Sequence, residues 1–147
     1  MRPSRNWAKF TVKPGQTGTI QPFDVTAANR YAKGKDPKAP SNASFIIQRI
    51  IIHGAPSTDP AAVQKAVSGA VITLEGQGGK KIELGPMFTR TKECNPWTSD
   101  EVYELEVPVS IPPASDYNVV ISYEQPPALA DTDSPVDLFV VVEGVEK

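Results

Sequence analysis

The chain has 147 residues, 15 of them proline, a single cysteine and a formal net charge of −2. That length suits one domain with a sizeable core, and proline at about twice its usual ~5% excludes a helical bundle in favour of short strands and rigid turns. With only Cys94, no internal disulfide can form, and no run approaches the roughly 20 apolar residues of a membrane-spanning helix.

The charge is unevenly placed. Residues 1–40 hold eight basic against two acidic side chains, while the remainder holds seven basic against 15 acidic. Arg2 and Arg5 lead the chain without the apolar run of a signal peptide behind them, so residues 1–7 read as a basic N-terminal arm. Ala8, Phe10 and Val12 then alternate with Lys9 and Thr11, which predicts a strand with one wet face, ended by Pro14-Gly15. Extended structure resumes over 17–25, with Pro22 marking an edge or bulge. A long exposed loop carrying Lys33, Lys35 and Lys38 follows, longer than connections without a role of their own usually are.

Phe45 to Ile52 is the most apolar stretch, rich in isoleucine, and predicts a central strand over 45–53. Strict alternation puts Phe45, Ile47, Arg49 and Ile51 on one face and Ile46, Gln48, Ile50 and Ile52 on the other. One short helix comes next. Asp59 suits its cap, Pro60 its first position and Gly69 its left-handed stop, with Ala62, Val63, Ala66 and Val67 on one stripe. Strands over 70–75 and 80–90 flank Gly76-Gln77-Gly78-Gly79, a hairpin signal. After an irregular loop over 91–100, strands are predicted at 102–111, 117–124 and 136–145. The last two are separated by an acidic, proline-bearing loop.

Eight strands with long crossovers and one short helix define an all-β chain, an eight-stranded antiparallel β-sandwich, with a jelly roll as the simplest topology. An immunoglobulin-like sandwich is the rival, but its Cys…Trp…Cys spacing is absent. The whole chain, 1–147, reads as one such domain. The basic start, the long apolar strand at Phe45 to Ile52, the short helix in a connection and the proline-rich turns together resemble the single jelly-roll proteins of virus capsids. That resemblance implies a self-assembling structural subunit located in the virion, with copies of itself and other virion proteins as partners. Electrostatic steering would bring basic contacts at Arg2, Arg5, Lys33, Lys35 and Lys38 onto acidic surfaces that include Glu104 and Glu106.

No catalytic motif is present. His53 is the sole histidine, no Gly-x-Ser-x-Gly elbow presents a nucleophile, and a strand-end histidine bonded to a backbone carbonyl is the expected state. Asp131, Asp133 and Asp137 depart from the spacing of a calcium loop, and one cysteine with one histidine gives no zinc site, so neither a metal nor a cofactor is expected. The glycine hairpin lacks the Lys-Ser/Thr of a phosphate loop, and aromatics are thinly spaced among the basic residues, which argues against sequence-reading of nucleic acid. Trp7 and Trp97 are the candidates for a stacking platform. The alternative function is therefore a monomeric carbohydrate-binding module that uses loop aromatics, Trp97 above all.

Overall fold

The computed structural model describes residues 1–24, 33–55, 59–76, 81–86 and 101–147. Eight strands run β1 (Arg2–Val12), β2 (Gly18–Ile20), β3 (Phe45–Gly54), β4 (Ala70–Glu75), β5 (Lys81–Pro86), β6 (Glu101–Ile111), β7 (Asn118–Tyr123) and β8 (Val136–Glu146), with α1 (Pro60–Val67) between β3 and β4. They form two four-stranded sheets, ordered β1-β8-β3-β6 and β2-β7-β4-β5. The pairings are nested and antiparallel: first with last, second with seventh, third with sixth, fourth with fifth. Apolar faces of both sheets share one core, in which Phe10, Ile50 and Leu138 of the first sheet join Ile72, Leu74 and Ile121 of the second. Each such fully buried side chain contributes about 1.5–3 kcal/mol.

β3 is interior, as its composition predicts, but its faces differ from strict alternation. Phe45, Ile47, Ile50 and Ile52 are the buried residues. The register to both neighbours shifts between Ile47 and Arg49, a bulge that adds one residue and flips the parity of all that follow. Without it the strand would drive Arg49 or Gln48 into the core. With it, the large apolar side chains face inward, and Arg49, Ile51 and His53 face out. Gly144 of β8 lies opposite the bulge, and a Cβ there would sit 1.8 Å from the Ile46 carbonyl oxygen.

The expected N-terminal arm is replaced by strand. Residues from Arg2 onward are laddered to β8, Arg2 opposite Glu146 and Trp7 opposite Val141. Polar Ser4 and Asn6 hide the alternation in the sequence, although Asn6 is buried. Arg2 and Arg5 bind the partner strand's Glu146 and Glu143, so their charge stabilises the ladder.

The helix forms where its punctuation predicts. Asp59 caps it, its carboxylate accepting from the Ala61 N–H at 3.0 Å, and Val63, Ala66 and Val67 are buried. Its far end is tied down twice. Ser68 Oγ donates to the Lys65 carbonyl at 2.6 Å and accepts from the Ala128 N–H at 2.9 Å, while the Tyr123 hydroxyl donates to the Ala66 carbonyl at 2.6 Å. Burial pushes the Tyr123 phenol far up, which keeps it a donor. The β4–β5 hairpin forms as predicted, though 77–80 at its turn, like 87–90 of the expected strand over 80–90, lies outside the described residues.

Candidate interaction surface

The outward face of β1, β8 and β3 is built in cross-strand rows by their register. One row sets Arg5 beside Glu143 beside Arg49; the next sets Trp7, Val141 and Ile51; a third sets Lys9, Phe139 and His53. Alternation on β1 and β8 and the bulge on β3 are what turn these side chains outward together.

The first row is an ion-paired array, with Glu143 3.1 Å from Arg5 and 3.7 Å from Arg49. Its carboxylate is largely covered, while Arg5 keeps 65% of its side chain in solvent. The two rings of the third row and Trp7 of the second form a continuous strip. His53 stacks on Phe139 at 5.3 Å between centroids, and Phe139 meets Trp7 edge-on at 5.8 Å. Trp7 is 38% exposed, so the strip is open to a partner. Lys9 pairs with Asp137 at 3.5 Å, and Asp137 also accepts from the Thr11 hydroxyl at 2.7 Å. His53 Nδ1 lies 3.0 Å from the Gly54 carbonyl, and with its ring on Phe139 it serves the surface as packing.

Along the free edge of β1 runs the segment 33–38, held by one buried side chain. Asn6 Oδ1 accepts from the N–H groups of Trp7 and Lys35, each at 2.9 Å, and its Nδ2 donates to the Lys35 carbonyl at 3.2 Å and the Tyr117 hydroxyl at 2.9 Å. The Gly34 N–H in turn donates to the Trp7 carbonyl at 2.9 Å. A polar residue in a strand start gave no sequence signal for this hub, because the partners that satisfy it lie about 30 and 110 residues away. Burial raises the Tyr117 phenol against the opposing pull of the Asn6 bond.

The predicted contact residues scatter over this framework. Lys33 pairs with Asp36, while Lys35 and Lys38 are exposed and form no ion pair among the described residues. Glu104 has its Cα opposite Arg49 on β6, and four β6 residues, 105–108, stand against Gln48 alone, so Glu106 falls in the irregular stretch. The side chains of Glu104 and Glu106, and the whole of Trp97, lie outside the described residues. A pocket of about 370 Å³ opens between α1 and the loop before β8, lined by Asp59, Lys65, Asp133 and Asp137 among others. Its carboxylates are already committed: Asp59 caps the helix, Asp133 accepts from the Ala130 N–H at 2.8 Å, and Asp137 holds Thr11. Among the described residues, no group of three or more His, Cys, Asp or Glu side chains is placed to hold a metal, and no helix is long and apolar enough to cross a membrane.

Glu146 closes the ladder beside Arg2. It accepts from Arg2 Nε at 3.1 Å and from the Ser4 hydroxyl at 2.9 Å, and these bonds hold its carboxyl below the usual glutamate range. A depressed folded-state pKa means stability that is present above the unfolded value, about 4.3, and lost as pH falls below it. Denaturant melts taken from pH 6 down to pH 3 are therefore expected to fall less steeply for Glu146→Gln than for the wild type.

What these observations define is an antiparallel β-sandwich with an aromatic, ion-paired outer sheet face. No protein-family model matches the sequence, and no curated protein matches it.

Proposed function

We propose that the chain is a non-enzymatic structural subunit that assembles with copies of itself, and that its place is in a virus particle. The nested strand order carries this reading. Pairing first with last and so inward is how a single antiparallel ribbon winds into a jelly roll, the architecture of many capsid proteins. Assembly proceeds through sheet faces and loops. The basic start of the chain is not available as a reaching arm, since Arg2 and Arg5 are committed to β8.

Light scattering of the purified protein across concentration and ionic strength tests the reading. Expected are species of several chains whose fraction rises with concentration and falls with salt, because surface ion pairs weaken within a Debye length of about 8 Å at physiological strength. A monomer under every condition would overturn it. The half-exposed Trp7 beside Phe139 favours a second reading, a glycan-binding module, which a glycan screen with Trp7→Ala as control would separate from the first.

A further inference from the structure

Resting on the self-assembly reading, we infer that the outward face of β1, β8 and β3 receives the acidic, proline-bearing loop 124–135 of a second copy. The face is apolar and aromatic in its middle, and cations outnumber anions around it. Arg5, Lys9 and Arg49 keep 65%, 39% and 38% of their side chains exposed, against 16% for Glu143 between the two arginines and 44% for Asp137 beside Lys9. A complementary partner brings carboxylates at its rim and a rigid apolar surface at its centre.

The same face of a second copy does not supply that. A two-fold axis running along β8 would lay Arg5 of one chain over Arg49 of the other. An axis across the strands through the Trp7 row would lay Arg5 over Lys9. Either way like charges meet, so the contact is not isologous.

The loop does supply it. Glu124 and Asp131 are exposed and form no ion pair among the described residues, and Pro126 and Pro135 are exposed between and beside them. Its backbone is already ordered. The Ala128 N–H bonds Ser68 Oγ at 2.9 Å and the Lys65 carbonyl at 3.2 Å, and Pro127 and Leu129 are buried as anchors. A pre-ordered loop loses little entropy on docking, and proline rings seat on aromatic faces with few rotors to freeze. Because donor loop and receiving face are different parts of the chain, the contact is heterologous and propagates from copy to copy until a ring or shell closes.

Two double variants test this by light scattering. Trp7→Ala with Lys9→Glu disables the face, and Glu124→Lys with Asp131→Lys disables the loop. Each alone is expected to raise the concentration for half-assembly at least tenfold. Mixed in equal amounts they have one working face and one working loop between them, so they are expected to stop at two chains. Circular dichroism confirms folding, and Lys9→Glu alone serves if the Trp7 variant melts. Assembly of either double variant like the wild type, or a mixture no larger than its components, would overturn the contact. So would unchanged assembly together with Trp7-dependent binding of an oligothymidine, which would assign the face to a nucleic acid. A wild-type chain that stays monomeric would instead defeat the self-assembly reading itself.

Discussion

Gly144→Ala is expected to cost about 3 kcal/mol or more and to lower the melting temperature by on the order of 10 °C. The reason is space. A methyl group at 144 would stand 1.8 Å from the Ile46 carbonyl oxygen and 2.8 Å from its carbon, both backbone atoms of the neighbouring strand. Neither can rotate away as a side-chain tip would. Relief requires β3 and β8 to separate where the bulge brings them together, and that would disturb the inward turn of Ile50 and Ile52 as well. Gly76 is the control, since a Cβ there meets only the Ile111 Cδ1 at 3.6 Å, and Gly76→Ala should melt within a few degrees of the wild type. A Gly144→Ala protein with wild-type stability in a thermal or urea melt would show that the bulge is not the fixed feature described above.

The second large effect is expected at Asn6. Replacing it by Ala removes four hydrogen bonds at a position 3% exposed, and leaves the Trp7 and Lys35 N–H groups without the acceptor that serves both. Buried groups left unmatched cost about 1–3 kcal/mol each, and with water reaching some of them the expected total is roughly 3 kcal/mol. Tyr117→Phe removes only the hydroxyl end of the network and should cost about 1 kcal/mol. A double-mutant cycle between the two sites should show non-additivity of about 0.5–1 kcal/mol, since both act through one bond. The loosening is expected to be local as well as global. Trypsin should cut at Lys33, Lys35 and Lys38 faster in Asn6→Ala than in Tyr117→Phe at equal fractions unfolded, and equal rates would place the hub elsewhere.

These two residues also mark where the sequence was legible and where it was not. Most strand positions, the helix with its Asp59 cap and Gly69 stop, and the antiparallel sandwich follow from local signals: alternation, turn residues and capping chemistry. The strand expected over 17–25 shortens to Gly18–Ile20, with Pro22 in the turn that follows. The other two misreadings lie in relations between strands. Nothing around Gln48 announces a bulge, because its cause is the conflict between burying Arg49 and pairing with β8, so the two faces of β3 were assigned by a parity that the fold breaks halfway. Residues 1–7 read as an arm because their apolar pattern is absent, while what holds them is a ladder to the other end of the chain. The surface was half visible. Trp7 stands out as an exposed aromatic candidate, but its neighbours Phe139 and His53 come from strands some 130 and 45 residues away, and only the register brings the three rings into one strip. Of the expected contact residues, Arg2 and Arg5 turned out to be ladder partners, a role that needs Glu146 and Glu143 across from them.

The pairing of β1 with β8 also sets the order in which the protein can be made. β1 lacks its ladder partner until β8 has emerged from the ribosome, since Arg2 ladders with Glu146 and Val12 with Val136. Until β8 has emerged, then, β1 waits with the edge that β8 will fill unpaired and with Phe10 and Val12 uncovered. The final step closes the longest loop in the chain, which places this domain among slow folders dominated by distant contacts. A chain cut short within β8 would lose far more than the residues removed. It would leave one edge of β1 open to another unfinished copy, the kind of exposed edge on which nascent chains aggregate.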